Sequence, residues 1–379
     1  MKKSLIALAI ASAVSAPAFA ATSNVDVYGV MNLSLNFVDP GTSSPLGLIE
    51  TSSSTSLSSV GSRIGFKGVE DLGGGGLKAI WQIETGFNAE EVSGTIGSRN
   101  TFVGLQGGWG TVLMGNHDTP MKLLGRSVDN FADTLADSRN ILGAVATGQN
   151  LYDLRTKNTI AYISPAFSGV TVAVAYITDW SANTAATFPT VPVTTTGAVY
   201  PLGTNGLDNN NTDAYSINAV WNAGAIMIGG GYEQQNLGNA GSQDIWRLVG
   251  GFNIAGFKLG AEYSQASSDV ALFTNDSYGL FATWTIGNWA IKGNYLNVSD
   301  SDATLLGVSA NDGADQWTLG VDYALSKRTT LYAFYAAVSN DTTGAYGLGT
   351  GAAASDQTSG LGTAGSDPST FSVGLKHAF

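Results

Sequence analysis

Residues 25–37 read VDVYGVMNLSLNF, and their spacing decides the fold. Val25, Val27, Gly29, Met31, Leu33, Leu35 and Phe37 alternate with Asp26, Tyr28, Val30, Asn32, Ser34 and Asn36. A period of two marks a strand with one apolar face. The run is longer than the roughly 5–6 residues of an ordinary globular strand, and it suits a strand tilted across a bilayer.

The rule recurs along the chain. Ile64 and Phe66 oppose Arg63 and Lys67; Ala79, Trp81 and Ile83 oppose Lys78, Gln82 and Glu84; Leu259, Ala261 and Tyr263 oppose Lys258 and Glu262. Charge keeps to one face. That face also carries many Gly, Ser, Thr and Asn, and large aromatics gather near strand ends, as an interfacial girdle would.

Composition points the same way. The chain is 44% hydrophobic but only 12% charged, about half the usual ~25% for a soluble domain. No run after the leader approaches the ~18 uninterrupted apolar residues a spanning helix needs. Low charge without such a helix is the composition of a membrane β-barrel, and the absence of cysteine is compatible with one. The formal charge of −12 argues against nucleic acid as a partner. Residues 1–20, with Lys2, Lys3, an apolar run and Ala18-Phe19-Ala20, read as an export signal peptide. Its removal makes the remaining chain more acidic still.

Connections alternate between short and long. DLGGGG at 71–76, GGWG at 107–110 and SPAFSG at 164–169 are short; 39–56, 117–154, 180–211, 236–242, 266–275, 299–313 and 339–367 are among the long ones. Seven short turns and eight long loops imply sixteen strands. The expected fold is all-β: a 16-stranded antiparallel transmembrane β-barrel over residues 21–379, with long extracellular loops and short periplasmic turns. Sixteen strands leave room for an aqueous channel.

The segment 117–154 has no strand pattern and is too long to be a passive connector. Ser127 can cap a helix through VDNFADTLADSRN, with Val128, Phe131 and Leu135 on one face and Asp129, Asp133 and Asp137 on the other. Such a helix rests its apolar side on the wall and turns three carboxylates toward an open lumen. The bland alternative is a solvated acidic face. Arg126 lies one turn before Asp129 and would neutralise part of that field.

VDVYGVMNLSL, SRIGFKGVEDLGGGGLKAIWQIETGF, NTFVGLQGGWGTVLMGNHDTP, NTIAYISPAFSGVTVAVAY, YALSKRTTLYAFY and FSVGLKHAF occur in that order across the chain. Together they resemble the Gram-negative general porins, particularly the trimeric type of Neisseria and related proteobacteria. The resemblance implies a cell outer-membrane homotrimer whose third extracellular loop, here 117–154, folds inward to narrow the channel. It also implies an assembly signal in the terminal Phe379. Where that family often carries an arginine lining the constriction, this chain has Asn116.

The expected function is passive diffusion of small hydrophilic solutes and ions. The constriction candidates are Asp129, Asp133, Asp137 and Arg126 on the loop, with Arg63, Lys67, Lys78, Arg155, Lys157 and Asn116 on the wall. The bases can equally be ordinary lumen charges or partners of Glu84 or Glu262. The three aspartates, the acidic chain and Asn116 in place of the family's arginine lead us to expect a weak to moderate cation preference. The alternative is a substrate-specific porin, for an oligosaccharide for example, but Tyr28 and Phe281 are too few for an aromatic track. An enzyme is disfavoured: there are two histidines, His117 and His377, and no metal-ligand spacing or phosphate-binding fingerprint. No cofactor or metal is expected, and the remaining partners are outer-membrane lipid and lipopolysaccharide.

Overall fold

The computed structural model describes residues 24–41, 52–90, 93–144, 152–180, 183, 212–238, 241–269, 273–302, 304–305, 308–349 and 363–379. The expected leader 1–20 and parts of several long connections lie outside the described residues.

Sixteen strands form the wall. They are β1 (Asn24–Asp39), β2 (Ser54–Ser59, continuing as Arg63–Asp71), β3 (Lys78–Asn88), β4 (Thr101–Gly107), β5 (Gly110–Asp118), β6 (Arg155–Ile163), β7 (Val170–Ile177) and β8 (Thr212–Ala223). There follow β9 (Ile226–Leu237), β10 (Ser242–Ile254), β11 (Phe257–Ser268), β12 (Phe273–Ile286), β13 (Trp289–Val298), β14 (Ala314–Ala324), β15 (Thr329–Asn340) and β16 (Ser369–Ala378). Every strand pairs antiparallel with its neighbours in sequence, and β1 pairs β2 on one edge and β16 on the other, from Val30↔Ala378 to Asp39↔Ser369. The sheet is closed. Closure satisfies the backbone donors and acceptors that a bilayer cannot.

The alternation read from the sequence becomes the two faces of this wall. Val25, Val27, Leu35, Leu248, Leu280 and Leu319 are exposed on the outside, while Asn32, Ser34, Asn36, Ser216, Glu233 and Gln316 are buried inside. Toward the loop rim the outer face carries stacked or tilted ring pairs, Tyr176–Tyr215, Trp246–Tyr263, Tyr278–Tyr295 and Trp317–Tyr335, with centroids 5.1, 5.1, 6.1 and 5.2 Å apart. Phe257–Trp284 and Trp289–Tyr323 lie toward the short-turn rim. Rings with one polar edge suit the two water interfaces.

At the first short turn the Asp71 carboxylate accepts from the Gly73 N–H at 2.9 Å, and Gly73 to Gly76 all take positive φ. Four glycines in a row are a turn requirement here. Two connections differ from expectation. The ladder runs on past the expected loop starts: β9 pairs β10 as far as Asn236↔Ser242, and β11 pairs β12 as far as Ser268↔Phe273. Polar residues on both faces ended the hydropathic alternation there without ending the backbone pairing.

The strand β2 is broken at Val60-Gly61-Ser62. Leu33 faces Ser59 but Val30 faces Arg63, so β2 has one residue too many: a bulge, with Gly61 at φ 71°. Ser62 Oγ accepts from the Asn32 N–H, and Asn32 Nδ2 donates to Val60 O. This bulge receives the loop described next.

Candidate functional site

The segment after β5 enters the barrel. Its helix is α1 (Pro120–Arg126), before the stretch expected from the sequence. Thr119 Oγ1 accepts from the Lys122 N–H, and Pro120 occupies the first helical position. Ser127, expected as the N-cap of a helix, instead ends α1, its hydroxyl donating to Leu124 O at 2.6 Å. The Thr119-Pro120 pair was the sequence signal that would have placed the helix correctly.

Residues 127–137 are not helical, and the three aspartates do not form a lumen-facing ladder. Asp129 accepts from the Phe131 and Ser138 N–H groups; Asp137 accepts from the Asp133 and Arg139 N–H groups. Asp133 sits at φ 59°, which ends any helix. The carboxylates build turns, a use that competes with helix for the same residue types. All three are buried, Asp137 to 0% exposure. The apolar half of the expectation holds: Val128, Phe131 and Leu135 are buried in the interior cluster with Phe281, Phe334 and Leu142.

The segment runs as a strap around the inner wall. Asn218 on β8 donates to Pro120 O, and the Met121 N–H to Ser216. Leu124 covers Gly229 and Gly231 on β9, Gly125 lies against Arg247 on β10, and Val128 covers Gly260 on β11. Asn130 donates to Ala282 O and Gly293 O on β12 and β13, and Phe131 covers Gly320 on β14 and meets Phe334 on β15 edge-on. At its tip Asp133 reaches the bulge: its carbonyl accepts from Asn32 Nδ2 at 2.8 Å, and its Cγ lies 2.9 Å from where a Cβ on Gly61 would stand. The strap makes none of these contacts with β3 or β4, while Leu113 on β5 and Ala161 on β6 are buried in a second apolar cluster with Trp180 and Leu237; the open lumen lies between the β3–β4 arc and the strap.

Arg247 clasps the base of the strap. Fully buried, it donates to Asp153 at 2.6 and 3.1 Å and to Met121 O at 3.2 Å, and its Nε lies 2.8 Å from Glu262. One guanidinium thereby ties the outgoing limb, the returning limb and two wall strands.

At the tip, charge is concentrated and lopsided. Asp133 pairs with Arg63 at 3.2 Å and Arg126 at 3.0 Å. Burial pushes its carboxyl up, but Arg126, Arg63, Lys376 and Arg99 together hold it well below the usual carboxylate range. Glu84 takes Arg99 at 2.6 Å, Arg63 at 3.9 Å and the Tyr28 hydroxyl at 2.8 Å. The Arg63, Arg99 and Arg126 side chains keep 21%, 22% and 25% of their surface exposed, whereas Asp133 and Glu84 keep 10% and 8%. Asp129 has no ion pair within 4 Å among the described residues, and burial together with Asp137 pushes it up to about 6. Asp137 stays low: Arg139 and Arg126 outweigh its burial.

The other sequence candidates scatter. Lys67 lies inside, its Nζ 5.3 Å from the Tyr28 ring centroid, and Lys78 is exposed beside Asp71 near the short turn. Arg155 and Lys122 both pair with Asp118 at 3.0 Å and fasten the start of the strap. Asn116 and Lys157 do not line the lumen. Asn116 alternates onto the same side as exposed Met114 and donates to Arg99 O, and with Lys157, Ile160 and Thr178 it edges a shallow cavity on the outer wall. A bulge in β6, where Thr156 and Thr159 face His117 and Gly115 and Asn158 has φ 57°, shifts the parity there. The Phe379 ring covers Gly29, and the two backbones exchange hydrogen bonds at 3.0 and 3.1 Å. Tyr28 and Phe281 form no track, since Phe281 is buried under Leu142. Arg99, Lys376, Arg247 and Asp153 were not singled out from sequence, because only the closed wall brings them to the strap.

A family model described as Gram-negative porin matches residues 7–343. Major outer membrane protein P.IB of Neisseria gonorrhoeae is 28% identical over 344 residues, covering 87% of this chain and 91% of that one. The P.IB protein of Neisseria meningitidis serogroup B is 28% identical over 346 residues with the same coverage. Among solved structures, an anion-selective porin from Comamonas acidovorans aligns with a TM-score of 0.72 at 24% identity, covering 94% of this chain and all of the other.

Proposed function

The chain belongs to the Gram-negative porin family and is an outer-membrane channel, and on that premise we propose that small hydrophilic solutes and ions diffuse through it with a preference for anions. The observation that supports this is the cluster at the strap tip: Arg63, Arg99, Arg126 and Lys376 surround Asp133 and Glu84, and the guanidinium groups are the more exposed members. The cation preference expected from sequence drew on three lumen-facing aspartates, the acidic total and Asn116 in place of a base; the aspartates are buried in turns and ion pairs, and Asn116 lies at the outer wall. The acidic total is a different matter, because within a Debye length of ~10 Å in 0.1 M salt only charges at the narrow ring act strongly on a passing ion. A transverse arrangement of such charges also orders water, which apolar solutes must displace without replacing its hydrogen bonds.

The assembled form in this reading is a homotrimer. Among the described residues the outer Tyr and Trp ring pairs of the loop rim lie on β7–β15 and none on β3–β6, where outward positions include Thr85, Thr101 and Asn116. A polar stretch at that height suits another copy better than lipid. On the lipid arc, Tyr176 and Tyr215 donate to Asp213 at 3.2 and 3.1 Å, a height suited to lipopolysaccharide headgroups. The test of selectivity is the zero-current potential of the purified protein in planar bilayers under a tenfold KCl gradient. A sign reporting chloride over potassium supports the proposal; the opposite sign overturns it.

A further inference from the structure

The lumen side of α1 is not uniformly polar. At about 100° per residue, the wall-packed Met121, Leu124 and Gly125 define one side of the helix, and Leu123 points almost directly away from them. Leu123 is accordingly 40% exposed, the most lumenward side chain of the strap's helix. Arg126, three residues on, shares that free side. The uncovered arc repeats the pairing of an apolar group with a cation: Phe102 on β4 faces inward opposite Gln82, half-buried with one side edge-on to the His117 ring at 5.4 Å, and Arg99 precedes it by three residues with its guanidinium on Glu84. Ile80, inward on β3 opposite Gly104, extends the apolar side toward the short turns.

We propose that the constriction favours small amphipathic carboxylates, whose charge meets Arg99 and Arg126 while an aromatic or branched aliphatic body passes along Phe102 and Leu123. Chloride or a sugar acid can use only the cationic half. Water over Leu123 and Phe102 has few hydrogen-bond partners, so an apolar body displaces it at little cost, unlike water ordered between charges. An exposed leucine in a water-filled channel thereby becomes a specificity determinant.

This inference rests on the anion-preferring reading, and the experiment separates the two. Zero-current potentials are measured in planar bilayers for the full-length channel with KCl, potassium acetate and potassium benzoate. Benzoate is expected to permeate at least as well as the smaller acetate, and Leu123→Ser to lower the benzoate-to-acetate ratio about threefold. A potassium-preferring KCl potential overturns the anion reading and this inference with it. A chloride-preferring potential with acetate ahead of benzoate, or with a ratio unmoved by Leu123→Ser, overturns this inference alone.

Discussion

Asp133→Asn isolates the charge at the narrow ring. Asparagine tolerates the left-handed backbone at φ 59° and keeps the carbonyl that accepts from Asn32, so the strap tip can stay docked on the β2 bulge. What is lost is one negative charge between Arg63 and Arg126. For an ion passing about 7 Å away through water, a unit charge amounts to about 0.6 kcal/mol, and screening roughly halves it. About 0.3 kcal/mol is a factor of about 1.7 for each ion, with opposite sign for chloride and potassium, so their permeability ratio should rise about threefold. The assay is the zero-current potential under a KCl gradient, with Asp300, Asp302 and Asp312, on the connection between β13 and β14, changed to asparagine as the comparison. An equal shift from both variants, or a shift toward potassium in Asp133→Asn, refutes the reasoning and returns selectivity to overall charge.

Chloride preference should strengthen as pH falls from 8 to 5, because Lys122, pushed down to about 7 chiefly by burial, gains its proton and Asp129, pushed up to about 6, loses its charge. Asp129→Asn should flatten the part near 6; the raised acid weakens the docked strap as pH rises from the ordinary carboxylate range to about 6, whereas Asp133 and Asp137, held below that range by their guanidinium partners, keep their ion pairs there. Gly61→Ala puts a Cβ 2.9 Å from Asp133 Cγ at a positive φ, and should cost about 1–2 kcal/mol locally. Faster amide exchange confined to the strap would show it. Arg247→Met leaves Asp153 and Glu262 buried without their base, a loss of about 3–5 kcal/mol, read as a lower unfolding temperature in detergent. Phe379→Ala removes the ring over Gly29 and should reduce the yield of SDS-resistant, heat-dissociable trimer without altering the conductance of what assembles.

The wall was legible in the sequence and the site mostly was not. Residues 25–37 show why: a strand with lipid on one side and water on the other must alternate, whatever its neighbours, and closure by β16 onto β1 follows from having no edge to expose. Short turns such as DLGGGG were readable because their backbone demands glycine locally. Asp129, Asp133 and Asp137 were not, because an aspartate that caps a turn and one that lines a pore obey the same spacing; burial against a wall 70 to 200 residues away decides between them. Lys157 lies at the outer wall for a related reason: the extra residue in β6 is fixed by pairing with β5, and one inserted residue turns the side chains beyond it to the other face, whereas Asn116, expected at the constriction from the family resemblance, keeps the regular alternation of β5 with Met114. Arg63 takes the inner face by simple alternation, yet its meeting with Asp133 depends on a bulge in β2 and a strap that has crossed from β8. Local periodicity fixes which face a residue takes, while long-range pairing fixes which charges meet, and an ion in the channel responds to the second.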